Sequence, residues 1–422
     1  MFLHPRFFRI GPAVLAGALA FSLPAVAGDW PQFRGPRRDG ICAVGELAAQ
    51  WPVDGPPVLW REKVGAGFSG PVVAGGRVFL FSREGDEEVL TARESATGKV
   101  IWRAATPTTY QDDFGFDPGP RATPCVAEGK VFTLGADGVV QAWAAADGRV
   151  LWRFDSRREL GAAKGFFGFA CSPLVESGAV LVNLGGREGA GIVAFATDTG
   201  KILWRTGGEE ASYSAPVAVT WQGQRNVLFL TRHHFTALEP ATGRVRFEYA
   251  FGPTERSSVT AASPVVVDDL VFLSGCYGAG ATVVRVPAEG KPVKLWADAT
   301  ALQNHYATSV YHDGFLYGID GRTDPGSFPG PNLRCVELRT GKVRWHDETA
   351  GAANVTLVGG ELLILTEKGE LFRAPASPEG FKPGARTQIL GVQARAHPAI
   401  ADGRLYARSQ DRLVCVDLRA GK

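Results

Sequence analysis

Residues 198–205 read Asp-Thr-Gly-Lys-Ile-Leu-Trp-Arg, and variants of this phrase return along most of the chain. Each variant is a Gly-containing turn followed by a short run that ends in an aromatic residue. The aromatic positions are Trp102, Trp152, Trp204, Phe247, Trp296 (in a worn copy) and Trp345. Their spacings of 50, 52, 43, 49 and 49 residues are typical of β-propeller blades and longer than those of the common helical repeats. The repeat therefore predicts an all-β propeller.

A second landmark opens each repeat, namely a small or polar residue followed by proline and an apolar run. It occurs at Gly70-Pro71, Thr123-Pro124, Ser172-Pro173, Ala215-Pro216, Ser263-Pro264 and His397-Pro398. Proline suits the first residue of a strand, where its missing N–H costs no ladder hydrogen bond. A Gly-containing turn, two further β-rich runs and the aromatic strand follow. Each repeat is thus expected to form four antiparallel strands.

Eight first strands can be counted, because two more units open near Thr308 and near Asn354. The eighth unit ends at Lys422 without its Trp strand, whereas residues 58–61, Val-Leu-Trp-Arg, precede the first unit. An N-terminal strand that completes the last blade explains both defects and removes the exposed sheet edges. We predict one eight-bladed propeller over residues 58–422, preceded by an arm over residues 28–57. Seven blades is the alternative, since the unit at 351–390 lacks both Pro and Trp.

Composition agrees with short strands and many turns: the 422 residues include 53 Gly and 27 Pro and are 45% hydrophobic. The net charge of +2 is supplied by Arg6 and Arg9, so the rest of the chain is neutral and nucleic acid is not an expected partner. These arginines, the apolar residues 10–23 and Ala25-Val26-Ala27 are typical of a signal peptide cleaved near Ala27. We expect a periplasmic or secreted monomer with no transmembrane segment in the mature chain.

Two stretches carry a family resemblance. Residues 194–204, Ala-Phe-Ala-Thr-Asp-Thr-Gly-Lys-Ile-Leu-Trp, resemble the blade repeat of the pyrroloquinoline quinone (PQQ)-like β-propellers. Residues 29–40, Asp-Trp-Pro-Gln-Phe-Arg-Gly-Pro-Arg-Arg-Asp-Gly, resemble the mature N-terminus of exported bacterial members, many of unassigned activity. The family includes periplasmic quinoprotein alcohol dehydrogenases and an outer-membrane assembly lipoprotein that binds proteins without a cofactor. The resemblance implies the fold and leaves two kinds of function.

The quinoprotein enzymes hold PQQ and Ca²⁺ on the propeller axis with a disulfide between adjacent cysteines, a stacked Trp, a carboxylate base and oxygen ligands. The cysteines of this chain are Cys42, Cys125, Cys171, Cys276, Cys335 and Cys415, none adjacent, and no Cys-x-x-Cys-His motif for haem is present. We therefore expect a non-catalytic binding scaffold for a protein or small ligand on its axial face, with no catalytic residue or metal ligand assigned. A PQQ- and calcium-dependent alcohol or sugar dehydrogenase is the alternative.

First strands line the channel of a propeller, so residues beside the strand-opening landmarks are the best candidates for ligand contact. The predicted axial-pocket residues are Arg121, Phe169, Tyr213, Asn304, His305, Tyr306, Arg395 and His397. His305 and Arg121 together either form part of a hydrogen-bonded channel lining or hold an anionic or quinone-like group. Above them, the aromatic side chains of the loops at 106–119 and 157–167 either pack over the blades or form a rim for a partner: Phe114, Phe116, Phe166 and Phe167.

Two structural roles complete the expectations. The recurring Trp should pack between neighbouring blades, because a single ligand cannot touch six equivalent peripheral sites. Cys335 and Cys415 occupy the same third-strand position, where other repeats have Ala, and should be small core residues. Cys125 and Cys171 open neighbouring blades and are the one plausible disulfide pair.

Overall fold

The computed structural model describes residues 28–43, 47–255, 258–324, 326–327 and 329–419, and the predicted signal peptide lies outside them. Within these residues the chain forms β-strands and one short helix, α1 (Ser156–Leu160). Two strands precede the first blade: β1 (Ile41–Cys42) and β2 (Val58–Lys63).

The first four blades follow the sequence repeat, each with four antiparallel strands in chain order. Blade 1 holds β3 (Val72–Ala74), β4 (Arg77–Glu84), β5 (Glu87–Glu94) and β6 (Val100–Pro107). Blade 2 holds β7 (Cys125–Ala127), β8 (Lys130–Leu134), β9 (Val139–Ala144) and β10 (Val150–Asp155). Blade 3 holds β11 (Leu174–Glu176), β12 (Ala179–Asn183), β13 (Ile192–Ala196) and β14 (Ile202–Thr206). Blade 4 holds β15 (Val217–Trp221), β16 (Gln224–Leu230), β17 (His234–Leu238) and β18 (Val245–Ala250).

The second half repeats the pattern with two modified blades. Blade 5 holds β19 (Val265–Val267), β20 (Leu270–Gly275), β21 (Gly280–Arg285) and β22 (Val293–Asp298). Blade 6 holds β23 (Val310–His312), β24 (Phe315–Asp320), β25 (Asn332–Glu337) and β26 (Val343–Asp347). Blade 7 holds β27 (Ala353–Val358), β28 (Glu361–Thr366), β29 (Glu370–Pro375) and β30 (Thr387–Gln388). Blade 8 holds β31 (Ala399–Ala401), β32 (Arg404–Arg408) and β33 (Arg412–Asp417).

The ring is closed by its N-terminal strand. β2 is the fourth strand of blade 8, antiparallel to β33 with Trp60 opposite Cys415. β1 adds a short parallel strand to the inner strand of blade 7, with Ile41 opposite Leu357. The predicted count of eight blades and the predicted closure are confirmed, and the seven-blade alternative is wrong: the atypical unit at 351–390 is a blade whose fourth strand, β30, has only two residues.

The recurring Trp joins six of the eight blades to the next one. Trp152 donates its indole N–H to the carbonyl of Thr197 in blade 3, at 2.9 Å, and its ring faces the Gly200 turn there. The other Trp residues bond to the following blade in the same way: Trp60 to Ser95, Trp102 to Ala145, Trp204 to Pro240, Trp296 to Leu338 and Trp345 to Ser377. Trp therefore acts between blades, as the sequence predicted.

The glycine of the phrase has two reasons to be glycine. Gly200 has φ +67°, in the left-handed region, and a Cβ atom built there would lie 2.6 Å from Cδ2 of Trp152. The turn thus needs both the missing Cβ and the positive φ, because the Trp ring of the preceding blade occupies the space a side chain would take. The glycine turn of one blade and the Trp ring of the preceding blade therefore pack directly against each other.

The small residue of the proline landmark links inner strands around the axis. The Thr123 side-chain oxygen accepts a hydrogen bond from the Gly70 N–H (3.0 Å), and the Ser172 oxygen accepts one from the Thr123 N–H (2.9 Å). Ser263 and Thr308 accept in the same way from Ala215 and Ser263. These bonds satisfy backbone donors that have no ladder partner before the strand begins.

The predicted cysteine core positions agree with the structure, and the one plausible disulfide pair does not form. Cys335 and Cys415 are fully buried in β25 and β33. Cys125 and Cys171 are buried free thiols, so the pairing suggested by their neighbouring blades is wrong. Among the described residues, helices fall short of the length and apolar character needed to cross a membrane.

Candidate functional site

A pocket opens on the propeller axis, where the loops that lead into the inner strands converge. Its space, counted out to bulk solvent, is about 1080 Å³. The lining residues follow one rule of position: most lie two residues ahead of a strand-opening landmark, or at the landmark itself. The first set is Phe68, Arg121, Ala170, Tyr213, Ala261, Tyr306 and Arg395, and the second is Thr123, Ser172, Ala215, Thr308 and His397.

The N-terminal arm forms the floor of this axial pocket. Phe33 lines the pocket and meets the His397 ring edge-on, with centroids 5.8 Å apart. Trp30 stacks on the same imidazole at 6.4 Å and forms a β-bridge with Val73 in blade 1. The arm thereby holds aromatic side chains under the axis.

Two buried arginines fix the arm inside the channel. The Arg34 guanidinium donates to the carbonyls of Thr308 and Ser309, both at 2.7 Å. The Arg38 guanidinium donates to carbonyls of blades 3 and 4: Ser172 (3.2 Å), Pro216 (3.0 Å) and Pro173. Burial lowers the pKa of Arg34 to about 10, well above neutral pH, so the side chain stays charged and its backbone partners act as fixed dipoles. The motif Asp-Trp-Pro-Gln-Phe-Arg-Gly-Pro-Arg-Arg is therefore a channel plug.

Two guanidinium groups meet on one wall. Arg121 and Arg395 place their central carbons 5.9 Å and 5.5 Å from the centroid of the Phe68 ring. Arg121 is held by an ion pair with Asp112 at 2.9 Å, and Arg395 by one between its Nε and Glu367 at 3.1 Å. Within the described residues, no hydrogen bond reaches the terminal nitrogens of Arg395. They are donors available to a ligand.

The opposite wall is a hydrogen-bonded network around His305. Its Nε2 lies 2.8 Å from the Tyr277 hydroxyl, and its Nδ1 lies 3.0 Å from the Thr323 hydroxyl. Burial lowers the pKa of His305 to about 4, so the ring is neutral at physiological pH. Tyr277 also donates to Oδ2 of Asp324 at 3.4 Å, and Arg322 donates to the same oxygen at 2.7 Å. At neutral pH the charged groups that line the pocket are thus Arg121, Arg395 and Asp324.

The predicted aromatic rim both packs over the blades and borders the pocket. Phe114 packs against Phe116, Phe166 and Phe167, with centroids 6.3, 6.1 and 5.3 Å away. Phe116 and Phe167 line the axial pocket, while Phe114 remains 54% exposed. The rim is therefore a continuous apolar shoulder from the surface to the pocket wall.

Six of the eight predicted site residues are brought together in this pocket: Arg121, Tyr213, His305, Tyr306, Arg395 and His397. Phe169 and Asn304 are not among its lining residues. Phe169 is buried between blades 2 and 3, and Asn304 bonds to the Ile319 carbonyl and to Ser309. Phe169 is adjacent to a residue that does line the pocket. Because successive side chains of an extended segment point to opposite sides, Ala170 lines the pocket and Phe169 does not.

Several lining residues were not predicted, among them Phe68, Ala261, Phe33 and Asp324. Phe68 and Ala261 sit two residues before Gly70 and Ser263, a signal present in the sequence. Phe33 comes from the arm, and no local pattern places it on the axis. Asp324 lies in the connection between β24 and β25, residues 321–331, which is longer than the matching turn 367–369 of blade 7. That unusual length was the available signal for Asp324.

The donor set bears on whether PQQ with Ca²⁺ fits. Ca²⁺ requires six to eight oxygen ligands, usually with several carboxylates. The pocket lining offers one carboxylate, Asp324, which is already paired with Arg322, and the described residues contain no group of three His, Cys, Asp or Glu side chains suited to a metal. The arginine and phenylalanine wall suits a flat anion, but the residues described do not fit the calcium ion.

Comparison with known proteins fixes the family. A family model described as outer membrane protein assembly factor BamB, of the PQQ repeat type, matches residues 45–168 and 86–347, together more than half of the chain. The chain belongs to the PQQ-like repeat β-propeller family. A curated relative, quinohemoprotein alcohol dehydrogenase ADH-IIG of Pseudomonas putida, is 27% identical over 218 residues. That match covers 48% of this chain and only 28% of the enzyme.

Solved structures share the fold of this PQQ-like propeller at low identity. BamB from Moraxella catarrhalis superposes with a TM-score of 0.62 and 13% identity, covering 85% of this chain and 96% of BamB. Quinohemoprotein alcohol dehydrogenase from Comamonas testosteroni superposes with a TM-score of 0.67 and 15% identity, covering 94% and 82%. At such identities these likenesses establish the propeller and carry no activity to this chain.

Proposed function

We propose that this PQQ-like propeller is an exported, non-catalytic scaffold whose axial pocket binds a small organic anion with a flat apolar body. The observation that carries the proposal is the convergence of Arg121 and Arg395 on the ring of Phe68, with no hydrogen bond from the described part of the chain to the terminal nitrogens of Arg395. A guanidinium group binds a carboxylate through charge-assisted, directional hydrogen bonds. The phenylalanines at 33, 68, 116 and 167 supply apolar faces for the ligand body.

Binding without turnover is supported by the hydrogen bonds and the pKa values of the pocket side chains His305 and Tyr306. Both ring nitrogens of His305 lie within hydrogen-bond distance of protein hydroxyls, and its low pKa leaves it a poor base near neutral pH. The Tyr306 hydroxyl donates a hydrogen bond to Glu367, and burial raises the pKa of Tyr306 well above its ordinary value. These side chains are hydrogen-bonded to other protein groups and can shape a binding site, which leaves Asp324 as the carboxylate that lines the pocket.

A matched pair of ligands tests the anion preference. Naphthalene-2-carboxylate should bind the purified protein about tenfold or more tightly than naphthalene-2-carboxamide in isothermal titration, because only the carboxylate forms a charge-assisted pair. Arg395→Gln should remove that difference, whereas Arg339→Gln, an exposed turn residue, should leave it unchanged. Equal affinities for the two compounds in the unchanged protein would refute an anion site on this wall.

The dehydrogenase alternative is separated by a second titration. The observation that favours a dehydrogenase is the carboxylate of Asp324 in the pocket lining. PQQ should bind the scaffold independently of Ca²⁺, and no dye reduction should follow on adding a panel of alcohols and sugars. Calcium-dependent PQQ binding with dye reduction would overturn the non-catalytic proposal.

A further inference from the structure

Asp324 lines the axial pocket, and one oxygen of its carboxylate accepts several hydrogen bonds. The hydrogen bonds that reach its carboxylate from Tyr277 and Arg322 all end on Oδ2. Within the described residues, no hydrogen bond ends on Oδ1, and the side chain lines the pocket at 29% exposure. The two donors hold the carboxylate in one orientation, so Oδ1 is a preset acceptor.

The ring order places this acceptor away from the arginine wall. Asp324 belongs to blade 6, and Arg121 leads into blade 2, which lies four blades away in a ring of eight. Arg395 leads into blade 8, two blades from Asp324. Arg121 therefore lies across the axis from this acceptor and Arg395 a quarter of the ring away from it, with neutral His305 beside the acceptor. The neutral imidazole does not repel a cation placed there, and the charge of Arg322 is paired with Oδ2.

We infer that the ligand is an elongated zwitterion, with its anionic group on Arg121 and Arg395 and a protonated amine on Oδ1 of Asp324. This inference rests on the proposed function, since it uses the same pocket and the same anion site. An amine at this place forms a charge-assisted hydrogen bond that a neutral or purely anionic ligand cannot form. The apolar middle of the ligand lies against the phenylalanine faces.

Rigid probes test the inference. The zwitterions 4-(aminomethyl)benzoate and 6-(aminomethyl)naphthalene-2-carboxylate offer two charge separations, and 4-ethylbenzoate and 6-ethylnaphthalene-2-carboxylate are their amine-free partners of similar shape. At one of the two lengths, the aminomethyl compound should bind the full chain about tenfold or more tightly than its ethyl partner. Asp324→Asn should cancel this preference and leave the affinity for the ethyl compound within about twofold.

The outcomes separate the inference from the proposed function. Asp54→Asn, an exposed residue with the same change of charge, should keep the amine preference. If the ethyl compounds bind and the amine gives no gain at either length, the zwitterion inference is wrong and the anion site stands. If no probe binds, the proposed function fails and the inference fails with it. Thermal melts check that Asp324→Asn is folded, and Asp324→Ser serves as a second variant if it is not.

Discussion

The substitution Gly200→Ala tests the contact between Trp and the turn of the following blade. Alanine at φ +67° costs about 1–2 kcal/mol, because an L residue is strained in the left-handed region. Its Cβ would also lie 2.6 Å from Cδ2 and 2.7 Å from Cε3 of Trp152. Relieving that overlap displaces a ring hydrogen-bonded to Thr197 and costs roughly 1–3 kcal/mol more. The expected loss of folding free energy is about 2–5 kcal/mol.

Gly178→Ala in the same blade is the matched control. Gly178 has φ +74°, and nothing lies within 4 Å of a Cβ built there, so only the strain of about 1–2 kcal/mol applies. Urea unfolding followed by Trp fluorescence gives both losses, provided that the slopes with denaturant are equal. Similar losses for the two variants would refute the idea that the Trp ring dictates glycine in the repeat. A loss for Gly200→Ala that shrinks in a Trp152→Leu background would support direct coupling.

Three further perturbations test other parts of the molecule. Arg38→Met leaves the carbonyls of blades 3 and 4 unpaired and should lower the free energy of unfolding in urea by about 2–4 kcal/mol. Arg37→Met, at an exposed position, should lower it by under about 0.5 kcal/mol. Equal losses would contradict the role of Arg38 in holding the arm inside the channel. Burial raises the pKa of Glu88 from 4.5 to about 7, so the free energy of unfolding should fall by about 3 kcal/mol as pH rises from 4.5 to 7. Glu88→Gln should flatten this dependence of stability on pH. An unchanged dependence would refute the raised pKa of Glu88. Deleting residues 28–61 should sharply lower the melting temperature, and an unchanged value would contradict closure by β2.

The fold was predictable because the repeat recurs along most of the chain. The aromatic spacing, the proline landmarks and the displaced Val-Leu-Trp-Arg strand were enough to give the blade number and the closure. The second role of Gly200 was not readable, since the ring that excludes a side chain belongs to another blade and only the positive φ follows from the turn. Repetition therefore reveals architecture more readily than it reveals contacts between repeats.

The pocket was predictable in position and less so in membership. Inner strands of a propeller converge on the axis, so the loops that precede them had to border any axial pocket. Choosing Ala170 over Phe169 required the orientation of an extended segment, which the sequence around Ser172 does not provide. Asp324 lies in a second-to-third strand connection, and Phe33 arrives from the arm; neither position follows from the landmarks.

The way the arm and β2 are held has a consequence for how the chain folds. Residues near the N-terminus contact residues far along the chain. Arg34 hydrogen-bonds to Thr308 and Ser309, and Trp60 pairs with Cys415 across two strands. During synthesis from the N-terminus, Arg34 remains without these partners until residue 309 has emerged, and Trp60 until residue 415, because contacts so distant in sequence form late. A chain interrupted before β33 would leave β2 and its Trp60 without their strand partner. Closure of the ring is therefore the step that joins the two ends of the propeller, and it cannot precede the appearance of β33.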